Sequence, residues 1–550
     1  MLRTCKLGMI ILCIGFLATG CVSLVEQGAL YLYNRSDVAI THYDLKIDVN
    51  EIKASDPNKR AINVDLVATM SVKSLKANVG SMYFFLDEGF TLLGVTIDGK
   101  PAKFSKWKIP SGLLSVWWVD FPQKLKKEEV KKVTISYSQE KESYFSLPQI
   151  HYDTAVAWYP GMLKENLYTL NLTATVPNQL TPIVPGELVS THSSQGRTTY
   201  QFASTVPSPL VNFLALSVEK TTFNYPDGRP VHVYYTPRQS SAVSALADIV
   251  YQARRFYEQQ SGPFLAESTS VVIFDSAMEM AYSTPYGIVL SSGIVARAIH
   301  TNDFTILSHT LAHELAHYYW GYTTVPLLTE GWILAEGLAE YSAKLFLDSN
   351  QASDGVRLMQ GNYTEYAYIL REIKKEGSAE MPLAKITFVY QDQFDLLIHK
   401  GVYVHQMLAD IVGEGIYRTV LADLYSNCKG DTVSLPQWQK AVEKASRQNL
   451  DWFFKDWVYG TAHVDFAVTE VTSNTKGKAV ITIANLGSTM YKGPVEIRID
   501  TAEHSRTFNV VLDKAKNTIT CDIEGQLQGV VVDPNWRLLD IKRDNNYVNF

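Results

Sequence analysis

Residues 309 to 341 carry the side chains whose types and spacing suit metal chemistry: His-Thr-Leu-Ala-His-Glu-Leu-Ala-His-Tyr-Tyr-Trp-Gly, continuing to Trp-Ile-Leu-Ala-Glu-Gly-Leu-Ala-Glu-Tyr. His313, Glu314 and His317 form an H-E-x-x-H, and eighteen residues separate His317 from Glu336. On a helix, positions i and i+4 share a face, so His313 and His317 present two imidazole nitrogens to one ion. Glu336 opens a second helical pattern and is the natural third ligand. Three protein ligands leave one tetrahedral position of a zinc ion open, and water there becomes far more acidic. Glu314, one residue round from the same face, is placed to take that proton. The competing reading is a helix with two packed histidines and solvated acids. It must bury these polar groups in an Ala- and Leu-rich stretch without an ion, at considerable cost. The pattern predicts one zinc per chain.

Two helices must position these groups, Phe304 to Trp320 and Ile333 to Leu347. Around them, 550 residues with 46% hydrophobic and 19% charged side chains read as a globular, multidomain α+β protein. From about Ala29 to Phe223 the period is two, as in Tyr43-Asp-Leu-Lys-Ile-Asp-Val and Lys132-Val-Thr-Ile-Ser-Tyr. Near residue 240 it changes, and Ser241 to Gln259 is helical. A strand at Ser270 to Asp275, a polar turn around Ser283-Thr-Pro-Tyr-Gly and a strand at Ile288-Val-Leu follow. Helical stretches resume at Gly401 to Ile411 and Leu435 to Val458. After Gly460 the period returns to two over about 90 residues, the pattern of a small β-sandwich. The predicted domains are an all-β domain over 21–225, a mainly α catalytic domain over 226–460 and a β-sandwich over 461–550.

Residues 1–20 read as a signal peptide. Arg3 and Lys6 precede an apolar core, Leu7 to Leu17, too short for a confident membrane span. Leu17-Ala-Thr-Gly-Cys21 resembles a bacterial lipobox, in which Cys21 is lipidated and becomes the mature N-terminus. The expectation is a body tethered to a membrane on its extracytoplasmic side. An uncleaved signal anchor is the alternative. Losing Arg3 and Lys6 takes the formal charge from -6 to -8, and no basic patch favours nucleic acid. Of five cysteines only Cys428 and Cys521 remain beyond Cys21, which is no disulfide framework.

The chain resembles the aminopeptidase N family of gluzincin metallopeptidases. The likeness rests on His313-Glu314-Leu-Ala-His317, the eighteen-residue gap, Trp332-Ile-Leu-Ala-Glu336-Gly337-Leu-Ala-Glu340-Tyr341, Trp320-Gly321, Lys400-Gly401 and Asp451-Trp-Phe-Phe-Lys-Asp-Trp457. It implies an N-terminal β-saddle domain, a thermolysin-like catalytic domain and a β-sandwich, without the C-terminal helical domain of longer members. It further implies zinc-dependent removal of N-terminal residues from peptides, with His313, His317 and Glu336 as ligands and Glu314 as general base. Glu340, one turn beyond Glu336, is either a solvated helix acid or an acceptor that fixes the tautomer of His313.

Two departures from the family pattern bear on substrate. The amine-recognising stretch of the family, Gly-Ala-Met-Glu-Asn on an edge strand, aligns in two registers. Ser276-Ala-Met-Glu279-Met puts Glu279 against a substrate ammonium, whereas counting back from Gly287 puts Ala281-Tyr-Ser-Thr284-Pro there. The tyrosine that stabilises the oxyanion, two residues before Lys-Gly, is replaced by Ile398, which cannot donate a hydrogen bond. His399, Tyr390 and Tyr403 are the nearby substitutes, each with an ordinary packing or surface role as its alternative. The expected function is zinc-dependent peptide hydrolysis at the cell surface. Two rivals stay open: a binding or scaffold lipoprotein that holds zinc without turnover, and an endopeptidase.

Overall fold

A computed structural model describes residues 37–108, 114–144, 149–152, 157–162, 167–285, 287–327, 329–387, 391–474 and 477–550. The predicted signal peptide, Cys21 and Tyr390 lie outside the described residues. The chain divides into two compact units. The first takes in the described residues as far as Arg255, with Phe264–Val325 and Gly430–Thr432. The second takes in Phe256–Pro263, Pro326–Lys429 and Val433–Phe550.

The first unit is built on an eight-stranded sheet. Its centre pairs Val38–Ile52 antiparallel with Lys59–Ser74 and parallel with Tyr168–Pro177. Alternation sets the register. Leu45 faces Ala68, Ile47 faces Leu66 and Val49 faces Val64, all buried on one side, while the intervening residues stay accessible. Two three-stranded sheets complete this β-rich part, and Trp158, fully buried, donates its ring N–H to the carbonyl of Val211 at 3.0 Å.

A separate five-stranded sheet follows, in the order Glu219–Phe223, Val231–Tyr235, Thr269–Phe274, Gly287–Ser291 and Ala281–Thr284. It crosses the predicted division at 225/226, because Glu219–Phe223 pairs with Val231–Tyr235. The inner strands are parallel, and their apolar runs Val271-Val-Ile and Ile288-Val-Leu are buried on both faces. Helix α1 (Val243–Ser261) makes the crossover between the first two parallel strands. The predicted polar turn begins inside an edge strand, Ala281–Thr284, which pairs antiparallel with Gly287–Ser291 and turns at Pro285. Gly287 is obligatory, since a Cβ there would meet the Ser270 carbonyl oxygen at 2.2 Å. Helices α2 (Ser292–Thr301) and α3 (Thr305–Ala316) come next. Ser291 caps α2 by accepting from the Ile294 N–H.

The second unit is organised around α4 (Glu336–Asn350), which is buried on nearly every side from Glu336 to Phe346. A helix buried all round is a core element rather than a surface one. The 24-residue α5 (Ala352–Lys375) was not picked out by the sequence pattern. Beyond it lie a short helix at Leu396–His399, α6 (Gly401–Val412) and α7 (Glu414–Cys428). The helix expected over Leu435 to Val458 is two, α8 (Leu435–Ser446) and α9 (Asp451–Trp457), separated where Arg447 turns left-handed at φ 58°. Helices α4 and α6 approach backbone to backbone. A Cβ on Gly401 would lie 2.9 Å from the Gly337 Cα. The C-terminal part forms two antiparallel sheets, of three and four strands. Arg537 ties it to the helices by donating its Nε–H to Asp410 at 3.0 Å and a terminal N–H to Glu414 at 2.7 Å.

His405 of α6 secures the start of α4. It is fully buried, donates from Nε2 to the Ile333 carbonyl at 3.1 Å and accepts at Nδ1 from the Tyr417 hydroxyl at 2.6 Å. Ile333 lies in the single 3-10 turn, Trp332–Leu334, that delivers Glu336. Burial pushes the imidazole down to about 3, so His405 stays neutral in the fold. A base whose folded pKa is depressed binds its proton more readily unfolded. Stability should therefore fall as pH drops from about 6.5 to about 3, with a slope approaching 1.4 kcal/mol per pH unit for one proton. Denaturant melts of wild type and His405→Gln across that window test this. The wild-type curve should be steeper by about one proton, and parallel curves would remove His405 from the account.

Candidate metal centre

Helix α3 carries the first two candidate ligands. Leu307, Leu311, Ala312, Leu315 and Ala316 bury its apolar sides and His313 is buried with them, while His309 and Glu314 stay more accessible. The expected helix to Trp320 stops at Ala316. The N–H groups of Tyr318 and Tyr319 turn to the carbonyls of Leu315 and Ala316, three residues back, tightening the last turn. His317 keeps helical angles at the cap, φ -60° and ψ -21°. The tightened turn brings the Trp320 carbonyl to 3.1 Å from His317 Nδ1. A carbonyl can only accept, so Nδ1 carries the proton and Nε2 keeps its lone pair. That is the tautomer a metal requires.

Glu336 is the first residue of α4 and 2% exposed. A helix N-terminus favours negative charge through its partial positive potential, so the backbone lowers the cost of burying this carboxylate. One donor atom each from His313, His317 and Glu336 lies within 4.8 Å of the others. The rings of His313 and His317 stand 4.9 Å apart, nearly perpendicular. Two imidazoles and one carboxylate, gathered and largely buried, are the donor set of a catalytic zinc site, and the residues fit that ion. Glu314 stands between the two histidines, half-buried on α3.

A second gathering, His309, His313 and Glu340, shares His313 with the first, again with donor atoms within 4.8 Å. Glu340 is 2% exposed, which excludes the solvated-acid reading. Its carboxylate accepts from the Asn362 side-chain amide at 2.7 Å. Asn362, which the sequence analysis passed over, also accepts from His399 Nδ1 at 2.7 Å. A signal for it exists: Gly355, Met359, Asn362, Tyr366, Ile369 and Ile373 form one helical stripe on α5, and Asn362 is its amide among apolar side chains.

The substrate-side candidates are placed differently. Glu279 lies outside the edge strand, and its carboxylate accepts from Arg297 at 2.8 Å. The edge strand itself holds Ala281–Thr284, as in the register counted from Gly287. There the Thr284 hydroxyl donates to the Gly287 carbonyl at 3.0 Å. Ile398 is half-buried on the short helix before α6 and brings no donor. Tyr403 is committed to the core, donating to the Met359 carbonyl at 2.7 Å.

Lys400 is fully buried against Glu380 at 2.7 Å, and His463 reaches the same carboxylate at 3.1 Å. Burial pulls the Lys400 ammonium down from its usual range, against the attraction of Glu380. Burial raises Glu380, yet hydrogen bonds from His463 and Lys400 outweigh it and hold the carboxyl below its usual value. This cluster fixes the approach to Gly401 and α6.

Residues 272–457 match the peptidase family M1 domain. Among solved structures, the chain is similar to Legionella pneumophila aminopeptidase A, crystallised in complex with aspartic acid. The TM-score is 0.69 at 13% identity, over 92% of this chain and 59% of that one, and the likeness is one of fold. Among curated proteins it is similar to transcription initiation factor TFIID subunit 2 of Schizosaccharomyces pombe, 21% identical over 357 residues. That alignment covers 57% of this chain and 30% of the subunit. The chain thus spans less than two thirds of either relative.

Proposed function

Starting from a chain that carries a peptidase family M1 domain, as its motif residues led us to expect of an aminopeptidase N-type gluzincin, we propose that it is a zinc-dependent peptidase acting on peptide N-termini. The observation that carries this reading is the gathering of His313, His317 and Glu336 within 4.8 Å, with Glu314 between the histidines. Zinc held there would supply Lewis acidity to water and to a scissile carbonyl. Glu314 takes the proton of the attacking water and hands it to the leaving amine. The Trp320 carbonyl and the N-terminus of α4 keep His317 and Glu336 in the forms a metal needs. Ile398 gives the developing oxyanion no hydrogen bond, so modest turnover is expected.

A second reading, a zinc-holding binding or scaffold protein, is favoured by Ile398 and by the likeness, among curated proteins, to a transcription initiation factor subunit. The saddle, thermolysin-like and sandwich arrangement, with a lipid-modified Cys21 at the mature N-terminus, remains part of the proposal. No helix among the described residues is long and apolar enough to cross a membrane.

Purified protein should hold about one zinc per chain, with His317→Ala losing most of it. Glu314→Gln should retain zinc while hydrolysis of amino-acyl amides falls on the order of a hundredfold or more. Stoichiometric zinc without hydrolysis in the wild type would give the second reading precedence.

Because Glu279 is engaged by Arg297 at a partly exposed position, Glu279→Gln should change turnover of free-amine peptides by less than about fivefold, the worth of a surface ion pair. A loss of ten- to a hundredfold confined to free-amine substrates would restore Glu279 as the amine anchor. Equal turnover of acetyl-blocked and free peptides by wild type would favour an endopeptidase.

For the anchor, Cys21→Ala should release the protein from membrane fractions or leave the signal uncleaved. Retention on the membrane after proven cleavage elsewhere would eliminate lipidation at Cys21.

A further inference from the structure

The metal-ligand helix α4 is braced by a buried polar line that leads from Glu340 through Asn362 to His399. Every hydrogen-bonding group of the Asn362 amide is used. One N–H goes to Glu340 Oε1 at 2.7 Å and another to the Leu358 carbonyl at 3.1 Å, while Oδ1 lies 2.7 Å from His399 Nδ1. These partners fix the amide orientation. Turned over, Asn362 would point its oxygen at a carboxylate and a carbonyl, two acceptors, and lose both bonds. The orientation in turn fixes His399. Facing an amide oxygen, its Nδ1 must carry a proton. Asn362 is 4% exposed, His399 6% and Glu340 2%, so water cannot easily replace any of the three.

The line has a direction. Glu340 stands one turn after Glu336 on the same helix, and its carboxylate lies within 4.8 Å of ring nitrogens of His309 and His313. A carboxylate with one oxygen held by an amide N–H has only its remaining lone pairs to offer a histidine. Asn362 therefore selects which way Glu340 points. At the far end, His399 lies between Ile398 and Lys400, in the short turn that leads into α6.

We propose that Asn362 is a positioning residue for the metal centre. It locks Glu340 toward His313, with His399 as the donor that keeps Asn362 in register. The inference rests on the zinc reading above, and it assigns the amide and His399 a role that neither the H-E-x-x-H nor the spaced glutamate contains. His399 is thereby a brace and not a replacement for the missing tyrosine donor at position 398.

The test is metal binding, which needs no turnover. Zinc affinity is measured by chelator competition on wild type, Asn362→Leu and the isosteric Asn362→Asp, and thermal melts confirm that each is folded. Loss of an outer-sphere partner should weaken zinc about ten- to a hundredfold in both variants. Asn362→Asp guards against a misfolded leucine variant, since it keeps the shape and polarity while the carboxyl group that replaces the amide has no N–H to give Glu340. Cobalt-substituted protein gives a second readout: the d–d absorption bands of the variants should shift or lose intensity, because they report ligand geometry. His399→Gln, whose amide can still donate to Asn362 Oδ1, should recover most of the affinity that His399→Leu loses. Folded Asn362 variants with wild-type zinc affinity and an unchanged cobalt spectrum would overturn the assignment while leaving the zinc site standing. A wild type that binds no zinc would overturn both.

Discussion

Burying a carboxylate at the head of a core helix is the constraint on which the rest of the candidate site depends. Glu336 sits where almost no water reaches it, and an isolated charge in such a place costs several kcal/mol. Three features reduce that cost. The charge sits at the first turn of α4, where the free N–H groups of a helix face it. The preceding turn is pinned by a neutral histidine, His405, through the Ile333 carbonyl. Gly337 and Gly401 let α4 and α6 come close enough that their backbones, not long side chains, define the spacing. On the proposed reading an ion would supply the remaining compensation, with two imidazoles within reach to share it.

Much of this was legible in the sequence because the chemistry restricts residue types. An H-E-x-x-H with a glutamate eighteen residues on leaves few other uses for those side chains, and the structure gathers the three donors as the spacing required. Strands with strict alternation, such as Val38–Ile52 and Lys59–Ser74, were equally plain, since one buried face fixes the period. What escaped has physical reasons too. Helix α5 carries Gly355, Gly361, Asn362 and Thr364, poor helix formers that mask its apolar stripe, and only packing against α4 makes it a helix. Strand Ala281–Thr284 is four residues long and takes its pairing from Gly287–Ser291. The end of α3 depended on a hydrogen-bond choice at Tyr318 and Tyr319 that no residue type announces.

Polar residues in the core were the hardest to interpret in advance, and they proved the most informative. Asn362, His405, Lys400 and Glu380 are all nearly or fully buried and all hydrogen-bonded. None belongs to a recognisable motif, apart from Lys400 in its Lys-Gly pair. Each engages a neighbouring element: Asn362 the Glu340 side chain of α4, His405 the turn before α4, Lys400 and Glu380 the entry to α6. Apolar packing alone tolerates small slips of one helix past another. A buried hydrogen bond does not, because a shifted donor is an unsatisfied one.

The two sides of the centre have been treated unequally by this sequence. On the metal side, donors, base and supporting carbonyl are all present. On the substrate side, an isoleucine occupies the position of a hydroxyl donor, and the edge strand presents Thr284 while the nearby Glu279 is engaged by Arg297. This asymmetry follows from what each side must do. Ligand geometry tolerates almost no change of residue type, since one lost donor removes the ion. Substrate recognition is a difference of affinities and can be rebuilt from other contacts. On the proposed reading, such a chain differs from the family pattern in substrate or rate more readily than in reaction type, and Glu314 supplies the base that hydrolysis needs.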